Sequence, residues 1–384
     1  MKKIEALVRP DCVTIFKENM RSSFRTTCMT LLVPLTMLAQ DSSKISISGF
    51  VDVYYSKNVA SPSTRMNTLR NFDIVENQFN LSLAEIVVQK KADPVGFRVD
   101  LDFGTANDVV QGIAPYGTTP YSTLTNVQQA YLSAVIPIGA GLTVDAGKFV
   151  THMGYEVIES KDNWNYSRSL LFAWAVPYYH TGFRLMYPLA DNLTVAVHVV
   201  NGWNSVVDNN DEKSLGCTVN YAPAPSTSIV LNVMDGFEQP TGADIGKKTV
   251  FDFIVTHQLS DAVALALNAE YGDERLAVMG APSTVLPTWK GLAIYGRCTI
   301  GAKSALALRG EIFDDPEGYA TGLGVPGLDV KEITATYEYK FADALLVRGE
   351  ARYDFANATI FDKEADVRSQ RNQLTFLVGL VAMF

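Results

Sequence analysis

The sequence predicts an all-β chain, a transmembrane antiparallel up-and-down β-barrel of about 16 strands with short periplasmic turns and long extracellular loops. Three observations carry this. The last strand, Asn372 to Phe384, sets Leu374, Phe376, Val378, Leu380, Ala382 and Phe384 at every second position, so one face is wholly apolar and ends on an aromatic ring. The chain is 47% hydrophobic and 19% charged, yet its apolar residues are dispersed in alternation, with no run of the ~20 that a spanning helix needs. Links between strands alternate short and long throughout.

Taken in order, the first element is an address. Arg21 and Arg25 precede the apolar stretch Met29 to Leu38, and a small residue follows at Ala39, which is the order of a signal peptide over residues 1–39 with Met20 as an alternative start. Residues 40–384 then form a single barrel domain. Strands are expected near 44–58, 77–91, 95–104, 126–138, 141–153, 180–189, 191–203, 214–222, 227–237, 248–259, 261–272, 289–301, 304–314, 329–341, 344–355 and 372–384. Short links such as Ala92-Asp93-Pro94 and Ala342-Asp343 follow the even strands, and long polar loops follow the odd ones. Tyr54, Tyr55, Tyr187, Tyr271 and Tyr353 near strand ends suit an interfacial girdle.

Each strand carries a polar phase against its apolar one. Leu345, Val347, Gly349, Ala351 and Tyr353 oppose Arg348, Glu350, Arg352 and Asp354, and Phe97, Val99 and Leu101 oppose Arg98, Asp100 and Asp102. A mid-strand arginine facing lipid costs about 2–4 kcal/mol, so these charges are expected to line a wet interior. Sixteen strands leave an aqueous bore where about eight would be filled by their own side chains. A pair of soluble β-sandwiches would share the alternation, but not the leader, the link rhythm or the aromatic end. The formal net charge of −9 argues against nucleic acid as a partner. Cys217 and Cys298 fall on strands four apart and read as small apolar side chains.

The third long loop is the most specific segment. Asn163-Trp164-Asn165-Tyr166-Ser167-Arg168-Ser169-Leu170-Leu171-Phe172, then Pro177-Tyr178-Tyr179-His180-Thr181-Gly182, resembles the putative β-barrel porin-2, or OmpL-like, family of Gram-negative outer-membrane proteins. Gly49-Phe50-Val51-Asp52, Gly147-Lys148-Phe149 and the terminal Phe384 extend the likeness over most of the mature chain. The resemblance implies an integral outer-membrane channel for passive diffusion of small hydrophilic solutes or ions. It also implies outer-membrane lipid and the barrel assembly machinery as partners, Phe384 as an assembly signal, and the homotrimer common among general porins. A substrate-selective channel, and a surface adhesin or receptor working through its long loops, are the alternatives.

By the same resemblance the loop 154–179 folds inward and narrows the bore. Glu156, Glu159, Asp162 and Arg168 would then face wall residues Arg297, Arg309, Arg348 and Arg352, opposed charges that order water and sort solutes. Arg98, Asp100, Arg184, Glu311 and Glu350 belong to the same lining. The opposing expectation is that the loop packs on the barrel mouth through Trp164, Phe172 and Trp174 with its charges in solvent, and that wall charges are cross-strand ion pairs. Net acidity suggests a mild cation preference, although the charges at the narrowest point decide it.

Catalytic and metal signals are weak, and neither a cofactor nor a metal is expected. Gly322-Leu323-Gly324-Val325-Pro326-Gly327 matches a dinucleotide-binding pattern but lies in a long loop and opens no helix. His152, His180, His198 and His257 lie on separate segments without metal-ligand spacing, and no nucleophile elbow accompanies them, so an enzyme is not expected. The acidic run Asp208 to Glu212 lacks calcium-loop spacing and reads as a solvated loop.

Overall fold

Alternation with period two can satisfy lipid and water at once only if the sheet has no edge, and this sheet closes on itself. The computed structural model describes residues 44–112, 124–239, 246–277 and 284–384, so the leader expected at 1–39 lies outside the described residues. The barrel strands are β1 Ile45–Asn58, β2 Phe79–Lys90, β3 Val95–Phe103, β4 Val127–Ile136, β5 Leu142–Val150, β6 Tyr179–Ala190, β7 Leu193–Val200, β8 Ser214–Ala224, β9 Thr227–Phe237, β10 Lys247–Gln258 and β11 Val263–Glu274. The ring continues through β14 Thr288–Ile300, β15 Ser304–Asp315, β16 Leu328–Ala342, β17 Leu345–Ala356 and β20 Asn372–Met383, after which β20 pairs with β1. Two small hairpins decorate the loops, β12 Leu276–Ala277 with β13 Thr284–Val285, and β18 Phe361–Lys363 with β19 Asp366–Gln370. No helix among the described residues is long and apolar enough to cross a membrane.

The seam shows why the chain ends as it does. Phe384 donates its backbone N–H to Gly49 O at 3.0 Å and accepts from Gly49 N at 3.1 Å, carrying the β1–β20 ladder one step past β20. Any side chain at Gly49 would put its Cβ 2.7 Å from the Phe384 ring, so glycine lets the terminal aromatic lie against the wall. Outside, Phe376, Val378 and Leu380 of β20 are exposed as a lipid-facing row, while Thr375, Leu377 and Val381 face inward and are buried. Tyr271 and Tyr353 are exposed on the outer wall as a girdle requires. Tyr54 departs from that expectation, because the alternation turns it inward, where its hydroxyl accepts from Val75 N at 3.1 Å. Cys217 and Cys298 are unpaired.

Strand limits match the sequence reading except where a loop claims residues. β5 stops at Val150 rather than 153: Thr151 N still donates to Tyr178 O at 3.0 Å, but the following residues turn into the bore, where Gly154 N and Tyr155 N meet β10 and β11. That turn changes the interior. Instead of lying open, much of it is packed with Phe72, Tyr155, Phe172 and other loop side chains against inward Phe50, Phe149, Trp289 and Phe313. Many wall charges therefore meet the loop rather than water.

Candidate functional site: a charged bore and its inward loop

A loop that leaves a ladder leaves its backbone donors and acceptors without partners, and inside a barrel only the wall can supply them. The segment 151–178 is gripped in this way. Glu350 of β17 accepts from Tyr166 N at 2.6 Å and Ser167 N at 3.0 Å. Glu311 of β15 accepts from Leu170 N at 2.6 Å and Leu171 N at 2.7 Å, capping the single π-helical turn Leu171–Ala175. On β10 and β11, Asp252 takes Gly154 N at 2.9 Å and Asn268 takes Tyr155 N at 3.0 Å. Asp52 of β1 holds the Ser160 hydroxyl at 2.6 Å and the Tyr166 hydroxyl at 2.7 Å.

Arginines supply the complementary half. Arg309 of β15 donates to Ser167 O at 2.7 Å and pairs with Glu156 at 2.7 Å and Glu332 at 2.6 Å. Arg352 of β17 donates to Arg168 O at 2.5 Å and pairs with Asp354 at 2.7 Å. Arg348 donates to Ser160 O and, at 2.8 Å, to Asn163 O, and pairs with Glu338 at 2.5 Å. These groups are almost wholly buried, a setting in which a charge is tolerated only when paired and hydrogen-bonded. Tyr166 fits because Gly379 opposite has no Cβ, which would otherwise stand 2.5 Å from its ring.

The extracellular loop 59–78 covers this arrangement from above. Arg70 reaches Asp354 at 2.9 Å, Asn71 donates to Ala173 O at 2.8 Å, and the Phe72 ring lies 5.8 Å from that of Phe172 and 5.7 Å from that of Tyr178. Arg168 turns away from the bore. Its guanidinium donates to Val157 O, Ile158 O and Tyr166 O within its own loop and stacks over Phe72 at 4.7 Å.

The remaining arginines and the loop tip keep contact with water, while Asp100 is buried. Arg98 of β3 pairs with Asp100 at 2.9 Å, Arg184 of β6 with Asp145 at 2.6 Å, Arg297 of β14 with Glu338 at 2.8 Å, and Lys161 with Asp162 at the loop tip. Beside that tip the Glu159 carboxyl is half-buried, and burial pushes its pKa above the ordinary carboxylate range, with Lys161 opposing and Asp162 reinforcing the shift. Thus the expected gap between loop and wall charges is closed: Glu156 pairs directly with Arg309, the Arg348 and Arg352 guanidinia hold loop carbonyls, and Glu159 and Asp162 stand at the tip.

One cluster had no signal in the sequence. Register brings His152, His180 and His198 together, with the His152 and His198 rings stacked at 3.9 Å and those of His152 and His180 at 5.5 Å. Separation along the chain hid this, since nothing in spacing links a loop base to two different strands. Among the described residues no three His, Cys, Asp or Glu side chains are arranged to hold a metal. The glycine-rich Gly322 to Gly327 precedes strand β16, not a helix.

Comparison with known proteins agrees with this architecture. The family described as putative beta-barrel porin-2, OmpL-like, matches residues 44–384. OmpT, an outer membrane protein of Vibrio cholerae, superposes with a TM-score of 0.58 at 13% identity over 91% of this chain and 100% of its own. An anion-selective porin from Comamonas acidovorans gives 0.59 at 10% identity over 89% and 99%, and the outer membrane channel DcaP of Acinetobacter baumannii gives 0.59 at 13% over 89% and 97%. No curated protein matches the sequence. At such identities the structural likeness speaks to fold alone.

Proposed function

The chain belongs to the putative beta-barrel porin-2, OmpL-like family, and so is an integral outer-membrane porin, from which premise we propose a passive diffusion channel for small hydrophilic solutes or ions, narrowed by residues 151–178. The observation that carries the narrowing is the grip of Glu350, Glu311, Arg309, Arg348 and Arg352 on the loop backbone. A loop held at so many points reduces the bore permanently rather than flapping over its mouth. Residues 1–39 act in this reading as the export signal, Phe384 as the signal read by the barrel assembly machinery, and three copies assemble as a homotrimer. No enzymatic step is part of this reading, in which the buried acids and arginines are spent on holding the loop.

Proteoliposome swelling tests the proposal. Vesicles carrying the purified protein should swell in small sugars and amino acids at rates that fall with solute size and do not saturate. Saturation by one solute would favour the substrate-selective channel, and vesicles as tight as protein-free ones would favour the adhesin or receptor.

A further inference from the structure

Composition favours cations, but the way the ion pairs are turned favours the opposite sign. Three inward pairs keep part of their surface exposed within the barrel, and in each the arginine is more exposed than its acid. Side-chain exposure is 27% for Arg98 against 0% for Asp100, 18% for Arg184 against 3% for Asp145, and 33% for Arg297 against 14% for Glu338. Each pair is therefore a dipole with its positive end in the solvent and its negative end in the wall. At the loop tip Lys161 and Asp162 are nearly balanced, at 23% and 27%. β3 and β6 stand across the barrel from β14, so the positive ends face the path from both sides.

We propose that the channel prefers anions, and that Arg98, Arg184 and Arg297 set this preference. The inference rests on the porin reading and deepens it. Its physical basis is local. An ion in the bore meets exposed charges through water at short range, whereas charges more than ~10 Å away are largely screened at 0.1 M salt, so the −9 total does not decide the sign. The groups that would oppose the preference when ionised are Glu159 at the loop tip and the pair Glu85 and Asp102, directly opposed across β2 and β3 and buried, with three of their carboxylate oxygens unpartnered.

The test is the reversal potential of the purified protein in a planar bilayer under a potassium chloride gradient. The wild type should reverse on the chloride-preferring side. Arg297→Gln leaves Glu338 paired with Arg348, and Arg98→Gln leaves Asp100 accepting from Gln129 at 2.5 Å, so neither strands a buried acid. Each should lower the anion-to-cation permeability ratio about threefold, the effect of a unit charge ~6 Å from the path at ~0.1 M salt. Lys290→Gln, on the outer rim, should leave the ratio unchanged. Reversal on the potassium side, or arginine variants indistinguishable from wild type, would overturn the proposal and point to Glu85 and Asp102 as the dominant charges. Absence of any conductance would instead overturn the channel reading beneath it.

Discussion

Arg309 is the most informative residue to remove. It joins Glu156 of the loop to Glu332 of the wall at 2.7 and 2.6 Å, with all three side chains at 0–2% exposure. In Arg309→Met the Glu156 carboxylate stays buried without its cation and Glu332 keeps only Arg352 at 3.6 Å, a change that costs about 3–5 kcal/mol. Loss of the bond to Ser167 O adds roughly 1.5–3 kcal/mol. The ladders of β15 to β14 and β16 are backbone bonds and survive, so the strain is relieved most cheaply by releasing the loop. R309M should fold with a lowered Tm, open in larger single-channel steps than wild type, and expose the 154–171 segment to protease. The triple variant R309M/E156Q/E332Q removes the charges together and should recover most of the lost Tm, because a buried ion network replaced by neutral groups costs little. R309M with wild-type Tm and step size would refute the claim that this network holds the loop.

Three further outcomes follow from the same geometry. Val378→Arg places a charge on the lipid face of β20 and should cost about 2–4 kcal/mol in folding into vesicles. Gly379→Val drives a side chain into the Tyr166 ring and should destabilise the barrel by about 1–3 kcal/mol, read as a fall in Tm, with Tyr166→Ala in the same chain relieving the clash. Because burial raises the Glu159 pKa, this carboxyl takes up its proton at a higher pH than an ordinary glutamate, so anion preference should strengthen as pH falls through that range, and Glu159→Gln should abolish that part of the pH dependence.

What the sequence makes legible is whatever repeats locally. Leu374 to Phe384 announce a lipid face because strand side chains alternate with period two, and the same rule places Arg348, Glu350 and Arg352 inside. Link lengths then order the strands. The direction of the loop obeys no such rule, since the acceptor of Tyr166 N is Glu350, far along the chain, and neither residue type alone signals the other. For the same reason the wall charges read as pore lining, whereas Arg309 and Arg352 serve the loop and are buried while Arg98, Arg184 and Arg297 keep 18–33% of their side chains in water. Arg168 faces a lumen by sequence position yet folds back on its own carbonyls. His152 and His198 meet only because register stacks them.

The account turns on a barrel whose bore conducts past a loop fixed within it. A single-channel recording of the wild-type protein in symmetric potassium chloride addresses this most directly. The expected record is a series of uniform, ohmic steps that grow in R309M. Bilayers that stay sealed, or steps that R309M leaves unaltered, would contradict it.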